Sequence, residues 1–216
     1  PWSAWAAAAQ ADYQANLVPL PVAPLDLAEV VKTVQRLAPA DTVVTNGAGN
    51  FSGWLHRYWR YRGLGSQLSP TSGAMGYGIP AAIAASLLLP GRCVVAFTGD
   101  GDGLMTVQEL ATARAHGARP IVALVDNASY GTIRMHQERE FPGRVSGSDL
   151  VNPDFVGLAR AFGWVAERIE RTEGFAPAFG AALARDEPTL LHLILDTEVS
   201  TTRSTLSAIR ATALQR

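Results

Sequence analysis

Along most of the chain, apolar residues fall either in short unbroken runs or at helical spacing, and the two patterns alternate. The unbroken runs are "DTVVTN" (41–46), "RCVVAFTGD" (92–100), "RPIVALVDN" (119–127), "WVAERI" (164–169) and "TLLHLILD" (189–196). Each is short enough for a strand and reads as buried on both faces. Between them the pattern predicts helices. One runs from Asp26 to about Leu37, opened by a capping box of Asp26 with Glu29. "GAMGYGIPAAIAASLLL" (73–89) predicts a small-residue helix with Pro80 near its start, and "MTVQELATARAHG" (105–117) an amphipathic one stopped by Gly117. Asn152 and Pro153 read as the N-cap and first-turn residue of a helix ending at Gly163, and a last helix spans about Glu173 to Arg185.

Strands alternating with helices predict an α/β fold, a parallel central sheet with helices on both faces. Ahead of it, residues 1 to about 16 read as an alanine-rich helix. "LVPLPVAPLD" follows, where Pro19, Pro21 and Pro24 forbid regular helix. Residues 1–25 are therefore expected to be a helix and Pro-rich linker from a preceding domain. Residues 26–216 are expected to form the main domain with a C-terminal tail. An opening Pro1 in place of Met suits a fragment or a processed product.

Composition narrows the classes of function. With 216 residues, 48% hydrophobic and 17% charged, the chain suits one large globular domain. A net charge of -1 gives no electrostatic attraction to nucleic acid or an anionic membrane. The longest apolar stretch, "IPAAIAASLLLP", falls short of the roughly 20 residues that cross a bilayer, and no secretory leader is visible. The single cysteine, Cys93, lies inside a strand and forms no internal disulfide, which suits a cytoplasmic protein.

In such a sheet, ligands gather at the carboxyl ends of the strands. Three loops fall there: "TNGAGNFSG", "TGDGDG" and "DNASYG". "GAGNFSG" allows a dinucleotide-binding turn of an NAD(P)-dependent oxidoreductase, or a plain glycine turn. No acidic ribose partner and no Tyr-x-x-x-Lys pair accompanies it. "GDGDG" fails as a calcium loop, since its fifth and twelfth positions are Leu104 and Ala111. No phosphate loop of the G-x-x-x-x-G-K-[ST] kind occurs, and the four histidines lack metal-ligand spacing. Asp100 and Asn127 are separated by a helix of about 13 residues and a strand of about 6, each about 20 Å long. The chain thus goes down and returns to the same edge of the sheet. A carboxylate, an amide oxygen and a loop carbonyl there form half of the hard-oxygen octahedron that Mg²⁺ takes beside phosphates.

With those residues in place, the sequence resembles a known family. "GDG", 25 intervening residues and Asn127 resemble the thiamine diphosphate signature, with "QELATA" after its first half. "SGAMGYGIPAAIAA" and "GAGNF" resemble two further segments, and the likeness spans roughly residues 25 to 200. It is nearest to the C-terminal, diphosphate-binding domain of the acetolactate synthase large subunit family. The resemblance implies the thiamine diphosphate-binding fold, with thiamine diphosphate and Mg²⁺ as cofactors. By it, Asp100, Asn127 and the carbonyl of Ser129 would hold Mg²⁺. Gly49, Asn50, Phe51, Gly99, Gly101, Asp102, Tyr130 and Gly131 would hold the diphosphate, with the Asp102 side chain turned from the phosphates. Asn50 has the alternative of a helix N-cap. Gly73 would meet the aminopyrimidine and Met75 would fill the bend of the cofactor. No catalytic residue is expected on this chain, because the activating glutamate would come from a pyrimidine-binding domain or subunit in an oligomer. The substrate would be a small 2-oxo acid or aldehyde. "GTIRMHQERE" departs from the family's glutamine–tryptophan pair, which opens the alternatives of a benzaldehyde lyase-type carboligase or a simple decarboxylase. His136 in that segment is the one substrate-facing expectation.

Overall fold

The alanine-rich start does form a helix, α1 (Ser3–Asn16), but none of its residues is buried. The computed structural model describes residues 2–20 and 22–215. Pro1, Pro21 and Arg216, which the sequence assigns to the leading helix, the linker and the tail, lie outside the described residues. α2 (Leu27–Leu37) begins where the Asp26 carboxylate accepts the N–H of Ala28 at 2.8 Å, and Leu27, Val30, Val31 and Val34 form its buried face. The expected capping box is only half made. Glu29 pairs instead with Lys32, and the N–H of Asp26 donates to Thr172, a partner from the far end of the chain.

The apolar runs become strands because the sheet buries four of them on both faces, while the fifth, "WVAERI", lies at its edge and exposes Glu167 and Arg168. β1 (Val43–Asn46) leads into α3 (Ser52–Tyr58), and a two-residue edge strand, β2 (Gln67–Leu68), precedes α4 (Gly78–Leu88). That helix starts later than the sequence predicts. Gly73 and Gly76 hold φ of 66° and 84°, which keeps residues 73–77 as a loop. β3 (Val94–Gly99) runs directly into a single helical turn, α5 (Asp100–Leu104), so "GDGDG" is a turn of helix rather than a loop. α6 therefore spans Glu109–His116, and Gly117 ends it at φ 71° as expected. β4 (Ile121–Asp126), α7 (Gly131–Glu140), α8 (Phe155–Ala161), β5 (Val165–Ile169), α9 (Thr172–Leu183), β6 (Thr189–Ile194) and α10 (Leu206–Ala213) complete the order. The cap of α8 is Asp154, which accepts from Val156 and Gly157; the sequence reading of Asn152 as that cap is corrected.

All six strands are parallel, in the order β2-β1-β3-β4-β6-β5. Helices α2, α3 and α9 cover one face through Val31, Leu55, Phe175 and Phe179. α4, α6 and α8 cover the other through Ile79, Ile83, Leu110 and Phe155. The chain leaves β1 for β2 on one side and returns to place β3 on the other. The carboxyl ends of β1 and β3 therefore splay their loops apart and leave a crevice. No helix among the described residues is long and apolar enough to cross a membrane.

The expected C-terminal tail is instead a helix latched to the domain. Arg210 on α10 donates through Nε to Glu138 on α7 at 2.7 Å and through its terminal nitrogen to the other oxygen. Glu138 is fully buried and also accepts the N–H of Gly143. The Arg210 hydrogen bonds hold its carboxyl down at about 2, against burial, which acts the other way. A carboxyl below its unfolded value of 4.5 stabilises the fold fully above that pH and loses the contribution as pH falls toward 2. Because Arg210 is partly exposed, the contribution is about 2 kcal/mol rather than the full linkage value. Glu138→Gln is expected to lower stability by about 2 kcal/mol at pH 7 and by much less near pH 3. Urea unfolding at the two pH values checks this.

Candidate functional site

Three loops from the ends of β1, β3 and β4 meet over the crevice. In the register of β3 and β4, Gly99 pairs with Val125, so the next residues, Asp100 and Asp126, stand side by side. Asp100 is buried, accepting the N–H of Gly101 at 2.9 Å and the amide of Asn152 at 2.8 Å. The same Asn152 amide donates to Asp126 at 2.7 Å, and the His192 ring nitrogen Nε2 lies 2.8 Å from that carboxylate. Burial raises the Asp100 carboxyl to about 6, with the charge of Asp126 adding to the effect and the Asn152 and Gly101 hydrogen bonds opposing it. Asp126 is half-buried, which acts to raise its carboxyl, but the hydrogen bonds from His192 and Ala128 bring it below the usual carboxylate value.

The turn after β4 shows backbone strain. Ala128 holds φ 52°, uncommon for a residue with a Cβ. It is pinned there by its N–H to Asp126 and by its carbonyl, which accepts from Leu150. The strained residue separates Asn127 from Ser129. The backbone carbonyl of Asn127 accepts from Thr197, and the residue borders the cleft. The Ser129 hydroxyl and the Tyr130 N–H both go to the carbonyl of Ser148. Asp100, Asn127 and Ser129 thus come from two neighbouring strand ends and border the same cleft. Side-chain and carbonyl oxygens of these three residues are hard donors of the kind Mg²⁺ takes, and no group of three His, Cys, Asp or Glu side chains placed to hold a metal occurs among the described residues.

Asp100, Asn127 and Ser129 line one cleft, together with Gly49, Asn50, Phe51, Met75, Gly99, Gly101, Asp102, Tyr130 and Gly131. Close packing explains the glycines. A Cβ on Gly101 would stand 2.5 Å from the Tyr130 ring. Asn50 is not the N-cap of α3. Its N–H donates to the Thr132 hydroxyl, which donates back to the Asn50 amide oxygen at 3.0 Å, tying the β1 loop to the start of α7. The Asp102 carboxylate is occupied by protein donors, as the reading of its side chain expects. Two expected residues lie outside the cleft lining. Gly73 is exposed in the loop before α4, and His136 is exposed on α7.

Sequence reasoning missed Asn152, Asp126, Thr132 and Ser200. Ser200 comes from the segment after β6, where its hydroxyl meets the Gly131 carbonyl at 3.2 Å and the Asn50 amide at 3.4 Å. Asp126 was visible beside Asn127, but a strand-end aspartate signals nothing until its neighbour is known. Asn152 was disguised by the proline after it.

Comparison with known proteins adds to this geometry. The family model described as "Thiamine pyrophosphate enzyme, C-terminal TPP binding domain" matches residues 47–193, which takes in all three loops. The chain is 38% identical over 167 residues to an acetolactate synthase large subunit of Parasynechococcus marenigrum, covering 76% of this chain and 27% of that protein. It is 34% identical over 169 residues to the acetolactate synthase isozyme 2 large subunit of Escherichia coli, covering 77% and 31%. Among solved structures, it resembles a thiamine diphosphate-dependent 4-hydroxybenzoylformate decarboxylase of Rhodococcus jostii. That match has a TM-score of 0.77 and 30% identity, and covers 83% of this chain and 34% of that one. The chain thus spans between about a quarter and a third of the length of these proteins.

Asn152→Ala removes the donor shared by two carboxylates, and the loss is expected to depend on pH. Asp100 lies above its unfolded value of 3.8, so its ionised form opposes folding above about pH 6 and protonation relieves it below. The variant is expected to lose about 1–3 kcal/mol at pH 8 and distinctly less at pH 5, read from denaturant unfolding at both.

Proposed function

Because the chain belongs to the family of thiamine pyrophosphate enzyme C-terminal, TPP-binding domains, we propose that it is the diphosphate- and Mg²⁺-binding half of an acetolactate synthase-like 2-oxo acid decarboxylase or carboligase. The observation that supports the reading is that Asp100, Asn127 and Ser129 line one glycine-walled cleft.

In this reading Asp100 and Asn127 give side-chain oxygens and Ser129 its backbone carbonyl to the metal. The metal reverses the local electrostatics, so that a carboxylate and a diphosphate share the cleft. N–H groups at Gly49, Phe51 and Gly131 orient the diphosphate, while those of Asn50, Gly101 and Tyr130 hold the surrounding loops by donating to Thr132, Asp100 and Ser148, and the missing side chains at the glycines let backbone approach it. Phe51, Trp54, Leu195 and Val199 give the cleft an apolar wall that excludes water. Met75, half-buried at the cleft border, supports the bend of the cofactor. Thiamine diphosphate bound there supplies the nucleophilic carbon and the electron sink that decarboxylation of a 2-oxo acid needs. The activating carboxylate comes from a pyrimidine-binding domain or a second subunit of an oligomer in the cytoplasm. α1 and the proline-rich linker, which bury no residue of α1, are the end of such a preceding part. A carboligase of the benzaldehyde lyase type and a simple decarboxylase share this half-site and differ in what the partner contributes.

Titration calorimetry of the chain with thiamine diphosphate is expected to show binding in Mg²⁺ and none in excess EDTA. Asp100→Ala is expected to lower the Mg²⁺-dependent affinity at least tenfold. Binding of NADH without a response to thiamine diphosphate refutes the reading, and affinity retained in Asp100→Ala refutes the metal assignment.

A further inference from the structure

Asp102 is buried, two residues after Asp100, and its carboxylate takes no part in the Asp100–Asp126 pair. One oxygen accepts the N–H of Ala48 at 3.2 Å and the N–H of Gly76 at 2.7 Å. The other accepts the Thr98 hydroxyl. Ala48 belongs to the loop after β1, which borders the cleft through Gly49, Asn50 and Phe51. Gly76 follows Met75 in the loop before α4. The two amides are 28 residues apart, yet share one acceptor atom. The fit is tight, because a Cβ on Gly47 would fall 1.8 Å from the carboxylate. Thr106 supports the same geometry by donating to the Gly76 carbonyl at 2.9 Å.

We propose that Asp102 is a positioning residue, a clasp that fixes the β1 loop and the Met75 loop at one spacing, so that a ligand ordering the first also orders the second. The argument rests on the diphosphate reading for which ligand does the ordering, and on the hydrogen bonds alone for the clasp. A buried amide that loses its acceptor opens more readily than its neighbours, so hydrogen exchange at Ala48 and Gly76 reports the clasp directly.

The test is residue-level hydrogen exchange by NMR on the whole chain, with and without Mg²⁺ and inorganic pyrophosphate. In the wild type, pyrophosphate is expected to slow exchange at Ala48 and also at Gly76. Asp102→Ala is expected to speed both amides at least tenfold in the ligand-free chain and to abolish the response at Gly76, leaving β4 amides unchanged. Asp102→Asn, whose amide oxygen accepts the same two N–H groups, is expected to keep the response. Gly76 behaving as wild type in Asp102→Ala, or losing its response in both variants, overturns the clasp. If pyrophosphate leaves Ala48 unprotected in the wild type, the diphosphate reading fails, while the ligand-free comparison still decides the clasp. Asp102→Ser replaces the alanine variant if that one does not fold, and failure of both to fold overturns a local role.

Discussion

Gly99 pairs with Val125 across β3 and β4, so the strands deliver a buried carboxylate, Asp100, and a half-buried one, Asp126, to the same point of the sheet edge. At a separation that one amide can bridge, their repulsion is on the order of 3 kcal/mol. The surroundings are arranged against it. Asn152 donates to both, His192 sits against Asp126, and the backbone amides of Gly101 and Ala128 each serve one of the pair. The donors are unequally shared. Asp126 receives enough to fall below the usual carboxylate value, whereas burial wins at Asp100 and lifts its carboxyl to about 6. A carboxylate that is short of donors and borders a cleft attracts a cation, which is why the proposed function places the metal at Asp100.

That imbalance depends on the core beneath it. β3 and β4 are buried along nearly their whole length between α2, α3 and α9 on one face and α4, α6 and α8 on the other. Close packing on both sides leaves the strands no freedom to slip, and a one-residue slip would part Asp100 from Asp126. Beyond the strand ends, the loops are tied to one another rather than to the core. Asn50 and Thr132 bond reciprocally, Ser200 bridges to Gly131, and Ser148 gathers the turn after β4. A rigid sheet thus sets the height of the site and polar cross-ties set its width.

The sheet was legible in the sequence because a strand buried on both faces must be a continuous apolar run, and four such runs stood out, with the half-polar β5 completing the alternation. Asp100 and Asn127 were brought together by counting alone, since a helix and a strand of equal length return the chain to its starting level. What escaped is what counting cannot reach. β2 is two residues long and carries no pattern. The glycines of "GDGDG" argued against helix, but the turn is held by its place at the end of β3 rather than by propensity. Asn152 stood before a proline and matched an N-cap, yet Asp154 two residues on does that work and frees the amide for the carboxylates. The latch of Arg210 on Glu138 joins residues 72 apart, and only the folded chain shows that the tail closes on α7.

Asp100 and Asp102 show why a pair of like residues must be judged by its donors. They share a turn of helix, both are nearly inaccessible, and nothing in "TGDGDG" separates them. Asp102 meets two peptide N–H groups and a hydroxyl, enough to satisfy an ionised carboxylate without any further ligand. Asp100 meets one peptide N–H and half of an amide that it shares with another anion. In the interior, an ionised group with unmet acceptor capacity either takes up a proton or recruits a cation. In the proposed reading the first carboxylate serves the ligand and the second the protein, a division that Ala48, Gly76 and Asn152 make from loops far from either aspartate in sequence.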